Sequence, residues 1–199
     1  PKPRSTRSWR SWLHRLHFCV STPEQPKLFL VVLGGRIDGC HVELHDVRFV
    51  VGSTIEATIP ELQRQWVGRR RGLHLDSWMQ VRQIDGYAIN LTQTPADSVE
   101  KLWFVNVGGY NPSNLLELHQ IGLVVAPSAA AAKARAKRRL LPDAQQRHKD
   151  DLHAVDDCLP LDLLEGWHVQ LSPNPSGGSQ PQVPDWWGYR PIDRKVQLS

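Results

Sequence analysis

Cysteine is scarce: the chain holds three in 199 residues, Cys19, Cys40 and Cys158, an odd number with no CxxC pair. That excludes a disulfide framework and a cysteine-built zinc site, and it fits a reducing, cytoplasmic setting. Long apolar runs are missing too. None approaches the roughly 18–20 residues needed to cross a bilayer, which excludes a helical membrane span. There is no GxSxG, no GxxxxGK[ST], no HExxH and no GxGxxG behind a strand, so no ready-made catalytic or nucleotide-binding signature is present. What remains is ordinary for a globular protein, 40% hydrophobic and 22% charged.

Acidic residues are absent from the first 20 positions, which carry Lys2, Arg4, Arg7, Arg10 and Arg15, a charge of +5. The remaining 179 residues hold 19 basic and 20 acidic side chains, a charge of −1. The basic character therefore belongs to an N-terminal arm. A nucleic-acid-binding body is not what the composition describes, and any such contact would fall to the arm alone. Within it, Trp9, Trp12, Leu13 and Leu16 have the spacing of a short amphipathic helix, but a disordered tail is the simpler reading. The chain begins with Pro1 and its single methionine is Met79, so part of the arm is expected to be non-native.

The chief positive feature is an internal duplication. Shifting the chain by 74 residues aligns Leu28–Val81 with Leu102–Val155 without a gap, and 14 of 54 pairs are identical. The shared positions cluster. Gly34-Gly35 meets Gly108-Gly109, Glu43-Leu44-His45 meets Glu117-Leu118-His119, and His74 and Asp76 meet His148 and Asp150. After a six-residue insertion, DGYAINL at Asp85–Leu91 is echoed by EGWHVQL at Glu165–Leu171.

Two copies allow each element to be checked against its partner. KLFLVVL (Lys27–Leu33) and KLWFVNV (Lys101–Val107) are short apolar runs ended by glycines, which predicts buried strands. Val47–Val51, rich in β-branched residues, predicts a second strand. The spacing of Ser53-Thr54-Ile55-Glu56 predicts a capping box and a helix, bent near Pro60, and SAAAAKARAKRRLL predicts its counterpart. In LHLDSWMQV, period two places Leu73, Leu75, Met79 and Val81 on one face and His74, Asp76 and Trp78 on the other. A hairpin into Gly86–Leu91 follows.

The fold class is therefore α+β: two tandem ββαββ-like repeats packed about a pseudo-twofold axis. Residues 1–26 are the arm, 27–92 the first repeat unit, 93–100 a linker and 101–172 the second unit. Residues 173–199 are a Pro/Gly-rich linker and a C-terminal clasp carrying Trp186, Trp187 and Tyr189.

Candidate binding residues are Glu43, His45, His74, Asp76, Gly34, Gly35 and Arg36. In a strand, residues i and i+2 point the same way, so Glu-x-His and His-x-Asp each present two polar groups side by side. Such sets suit a hydrogen-bonded acid–base pair or a divalent ion. They equally suit a polar network that merely satisfies the fold. Because Glu43 and His45 would share a face with Val47, Phe49 and Val51, a bulge or turn is expected near His45. The glycines could free backbone N–H groups for an anion, but a tight exit from a buried strand is the favoured reading. The clusters Arg69–Arg71 and Lys133–Arg139 read as solvated faces.

The unit LFLVVLGGR…ELHDVRFVVG…LHLDSW…IDGYAINL resembles the bacterial family named "domain of unknown function 1543", whose members carry one or two copies. The resemblance spans Lys27 to about Leu171. It implies a cytoplasmic bacterial protein and supplies no activity. Taken together, the residues favour a non-enzymatic module that binds a small polar or anionic ligand or a protein, without a cofactor or a committed metal. A homodimer is among the partners left open. The alternative is a hydrolase-like enzyme using the Glu/His/His/Asp set of the first unit, with or without a divalent metal.

Overall fold

A computed structural model describes residues 25–95, 97–140, 158–174 and 181–194, together with the backbone of 146–149. The arm at 1–24, Asp150 and the Pro/Gly-rich stretch at 175–180 lie outside the described residues. The elements run β1 (Lys27–Gly35), β2 (Leu44–Gly52), α1 (Ile55–Gln65), β3 (His74–Gln80), β4 (Gln83–Ile84) and β5 (Tyr87–Thr92). They continue with β6 (Lys101–Tyr110), β7 (Leu118–Ala126), α2 (Ala129–Arg139), β8 (Gln146–Lys149), β9 (Cys158–Pro160), β10 (Leu163–Leu164), β11 (Trp167–Pro173) and β12 (Trp186–Pro191). The fold is α+β, with antiparallel strands in three sheets ordered β12-β3-β1-β2, β10-β11-β5-β4 and β7-β6-β8, with β9 also pairing β6.

β1 is apolar on both sides because both of its faces are covered. Phe29, Val31 and Leu33 join an outer core cluster with Ile55, Ile59 and Leu62 of α1, while Leu28 and Leu30 join a middle cluster. That middle cluster also takes Leu102, Phe104, Leu123 and Val125 from β6 and β7, and Val169 from β11. A second outer cluster packs Trp103, Val105 and Val107 of β6 against Ala132 and Ala136 of α2. Each helix thus covers the outer side of its own sheet, and the middle cluster joins the two halves of the chain. Continuous burial on both faces is why KLFLVVL and KLWFVNV read as unbroken apolar runs.

Both helices start on a hydroxyl cap. Thr54, not Ser53, is the cap of α1, its Oγ1 accepting from Ala57 N at 3.3 Å, and Ser128 does the same for Ala131 N in α2. A side-chain acceptor at this position satisfies one of the four orphan N–H groups of a helix start. α1 runs unbroken across Pro60, which sits exposed in its middle.

The hairpin turns do more than reverse the chain. Asp85-Gly86 joins β4 to β5 with φ of 51° and 81°, and Glu165-Gly166 joins β10 to β11 with φ of 50° and 82°. Positive φ at both central residues matches the twist of a two-residue hairpin and explains why glycine holds the second place. Each turn carboxylate then reaches the other half. Asp85 Oδ2 accepts from Val125 N on β7 (2.9 Å), and Glu165 Oε1 accepts from Val51 N on β2 (3.2 Å). β2 and β7 are edge strands of their sheets, so these carboxylates occupy N–H groups that would otherwise be open to strand pairing. β5 and β11 pair with each other, Tyr87 opposite Pro173 through Thr92 opposite His168.

Two expectations are corrected. β2 pairs with β1 in unbroken register from Leu44 to Gly52, with no bulge at His45. The irregularity lies in β3 instead, where Ser77 faces Val32 and Leu75 faces Leu33, so that Asp76 is an extra residue without a partner in the ladder. Such an insertion reverses the alternation. Leu73 and Leu75 therefore share the outer cluster with Trp78, while Met79 and Val81 turn to the middle cluster, in place of one period-two face.

Candidate functional site

The ladder of the first sheet brings the four polar candidates to one place. Gly34 on β1 is opposite His45 on β2 and opposite His74 on β3. Directly opposed residues of neighbouring strands project to the same face, so the two imidazoles flank a position that carries no side chain. A Cβ on Gly34 would sit 2.8 Å from Asp76 Oδ2 and closer still to His74 Nε2. The glycine is thus the floor of a small polar cluster. Gly35, facing the other way, leaves room for the Trp66 ring, 2.7 Å from a built Cβ. Neither glycine forms the tight strand exit expected of it: both are in β1, and neither has a positive φ.

Within the cluster the groups form a line. His74 is buried, 2% exposed, with Nδ1 2.8 Å from Gly72 O and Nε2 3.2 Å from Asp76 Oδ1. Asp76 Oδ2 lies 3.4 Å from His45 Nε2, and Glu43 Oε1 lies 3.5 Å from that same nitrogen. A carbonyl only accepts, so His74 Nδ1 carries a hydrogen. Its Nε2 therefore faces a carboxylate favourably only when a further proton lies between them. Asp76 Oδ2 is buried and accepts no hydrogen bond, a costly state that an added donor would relieve. Outward from this inner pair the line opens to solvent, with the His45 side chain 53% exposed.

The donor atoms face one another rather than a common point. Among the described residues no three His, Cys, Asp or Glu side chains are arranged to hold a metal ion. Arg36 stands apart: it is exposed just beyond β1, and its carbonyl accepts from Arg69 N at 2.7 Å. Cavities of about 330 and 310 Å³ flank Pro181 and Gln182, but none of the four cluster residues lines either.

A residue missed as a site candidate closes the far side. β12 adds to the free edge of β3, and the Tyr189 ring lies over the His74 ring with centroids 4.1 Å apart. Tyr189 belongs to no repeat and follows a Pro/Gly-rich stretch, so only its aromatic neighbourhood marked it.

The second copy repeats the ladder. Gly108 on β6 is opposite His119 on β7 and opposite His148 on β8. His119 Nε2 is 3.7 Å from Glu117 Oε2. Here Glu117 also accepts from the Tyr110 hydroxyl at 3.4 Å, and His119 Nδ1 lies 3.4 Å from Asn106 Nδ2. Tyr110 and Asn106 stand where the first copy has Arg36 and Val32.

The family described as Domain of Unknown Function (DUF1543) matches residues 40–91 and 114–164. The chain belongs to this family. The two segments show two tandem copies of the DUF1543 unit, each taking in Glu-x-His and His-x-Asp but not the glycine pair before them. Among solved structures, the crystal structure of a protein Il1583 from Idiomarina loihiensis is similar at 37% identity and a TM-score of 0.64, covering 84% of this chain and 97% of that one. No curated protein matches the chain. Among the described residues of this DUF1543 chain no helix is long and apolar enough to cross a membrane.

Proposed function

We propose that this DUF1543 chain is a small-molecule-binding protein whose ligand docks over Gly34, against Asp76, His45 and Glu43. The observation that carries this reading is the convergence itself. Polar groups from three strands meet above a missing side chain, with one carboxylate oxygen buried and accepting nothing. A bulge that re-aims the carboxylate is also a device common beside functional sites.

The two units, 27–92 and 101–172, we take to be arranged about a pseudo-twofold axis. The reciprocal caps of Asp85 and Glu165 and the β5–β11 pairing support that arrangement. On this reading the first unit holds the active face and the second its altered counterpart.

The test is an NMR titration of the imidazole resonances of His45 and His74 in the full chain, using small polar compounds of either charge and none. Binding should move both resonances and leave His119 in place. A panel that moves neither histidine would overturn the proposal. A second reading, a hydrolase-like enzyme, is favoured by one feature: Gly72 O fixes the orientation of His74 while its other nitrogen addresses Asp76, as a general acid–base pair requires. A His74→Gln variant that stays folded and retains binding but loses turnover of activated esters would support it.

A further inference from the structure

The two edge strands β2 and β7 are protected differently. On β2, Val47 N donates to Asp46 Oδ1 at 2.8 Å, and Val47 O accepts from Arg48 Nη1 at 3.3 Å. The outward backbone groups of Val47 are thus closed by the side chains on either side, a guard against unwanted strand pairing. In the second copy Ile121 stands where Val47 does, with Gln120 and Gly122 in place of Asp46 and Arg48. A glycine has no side chain to fold back over the edge. The side chains that do reach this edge come from afar: Gln182 at Leu123 and Asp85 at Val125.

Gln182 meets β7 as a strand would. Its Oε1 accepts from Leu123 N and its Nε2 donates to Leu123 O, both at 2.7 Å. A side-chain amide that fills the donor and the acceptor of one residue reproduces the pairing of a neighbouring peptide unit. Strand alternation turns Ile121 N and O to the same side as those of Leu123. The cavity of about 330 Å³ runs along this stretch, Gln120 to Val124, between Gln182 and the end of α2. Gly122 adds no side chain to it, so Leu140 forms its wall, 3.3 Å from where a Cβ at 122 would sit.

The charge above the groove chooses among occupants. α2 carries Lys133, Arg135, Lys137, Arg138 and Arg139 and no acidic residue. Arg139 lines the cavity and pairs with Asp85, and Arg135 lies one turn earlier on the same flank of the helix. A second copy paired edge to edge would bring two such helices onto one face of a joined sheet, like charge against like. An acidic strand is attracted instead.

We infer that the β7 edge is a docking site for an extended, acidic peptide segment of a partner protein. The segment pairs with Ile121 and replaces Gln182 on Leu123, so Gln182 is an internal competitor. This is strand addition, in which main-chain hydrogen bonds hold the peptide and alternate side chains set the choice of partner.

The probe is a fluorescent peptide of about seven residues alternating glutamate and valine, compared with its lysine–valine counterpart by anisotropy on the full chain. The acidic peptide should bind at least about 10-fold tighter than the basic one. Gln182→Ala should tighten it about 5-fold by removing the competitor. Ile121→Pro deletes an outward N–H, which an edge strand tolerates, and should weaken it about 10-fold. Arg135→Glu should weaken it about 5-fold. Gln182→Ala and Arg135→Glu carry the test if Ile121→Pro fails to fold. Equal binding of the two peptides, or a Gln182→Ala variant that binds the acidic one no tighter, overturns the inference. Indifference to a folded Ile121→Pro does the same. A chain that ignores both peptides but dimerises, and loses the dimer with Ile121→Pro, would give the edge to a second copy and overturn the peptide assignment.

Discussion

In the first copy, Gly34 lies between His45 and His74, and Asp76 bridges the two imidazoles. In the second, Gly108 lies between His119 and His148 at the same register, yet Glu117 is taken up by the Tyr110 hydroxyl and His119 by Asn106. The ladder is common to both, and the side chains around it differ. Positions that set the backbone ladder, the glycine and the two histidines, persist in both copies. Positions that decide what the ladder presents have changed. Among the described residues, moreover, β12 pairs with β3 alone, so only the first copy gains an aromatic wall. A duplicated scaffold has thus kept its framework and differentiated its surface.

That comparison can be broken most forcefully at its floor. Gly34→Ala places a methyl against His74 and Asp76 in a site with no room for it. It should cost about 3 kcal/mol in chemical denaturation, in the range of overpacked interiors. A loss under about 1 kcal/mol would mean that the cluster relaxes freely and is not a fixed floor. The histidines come next. His74→Ala removes a buried ring held by Gly72 O and should cost about 2 kcal/mol. His119→Ala, on a half-exposed ring, should cost less than about 0.5 kcal/mol. Equal costs would erase the distinction between the copies.

The two hairpin carboxylates sharpen it further. Asp85 is paired with Arg139 at 2.6 Å as well as with Val125 N, so Asp85→Asn should lower the melting temperature. Among the described residues Glu165 makes no such ion pair, and desolvation raises its pKa, opposed by smaller lowering contributions from the Val51 N–H and the Arg64 charge. A raised folded-state pKa means that the folded chain holds this proton more tightly than the unfolded one. Stability is therefore reduced above the folded pKa and recovered as pH falls through it. Glu165→Gln should accordingly stabilise near neutral pH, by less than about 0.5 kcal/mol because the group is largely exposed and screened, and the gain should vanish in acid. Opposite signs for the two turns are the expected outcome of paired thermal melts.

The smallest effect concerns the tie between β12 and α1. Arg190, hydrogen-bonded to Glu56 at 2.9 Å, lowers the pKa of that carboxylate. A depressed folded pKa contributes stability above the unfolded value, and that contribution is lost as pH falls through the folded one. Arg190→Ala should flatten this acid limb, at a cost near neutrality of about 0.3 kcal/mol for an exposed pair. No change in the pH profile would show that the pair does not help to hold β12.

Much of this was legible in the sequence, and the misses have identifiable causes. The apolar runs of β1 and β6 announced buried strands because both of their faces are covered. The S-x-x-E spacing at Ser53–Glu56 and the alanine-rich run after Ser128 announced the two helices, although the cap of α1 is Thr54, one residue further on. The faces of β3 were misassigned because a bulge is an insertion in pairing, not in composition. Nothing in LHLDSWMQV distinguishes Asp76 as the residue skipped by the ladder. The glycine pair was assigned to an exit because glycine is permissive, whereas its use here is the absence of a side chain. Tyr189 was missed as a site residue because it lies more than 100 positions from His74 in the chain.

The sequence by itself determined the duplication, the strand and helix identities and the polar pairs that each strand carries, since these follow from local pattern and from the agreement of two copies. Only the tertiary structure decided that Glu43, His45, His74 and Asp76 meet over Gly34, that the turn carboxylates cap each other's edge strands, and that β12 pairs with β3. Those outcomes depend on register between strands far apart in the chain. Register is fixed by which faces can be buried together, a property of the assembled core that no single segment contains.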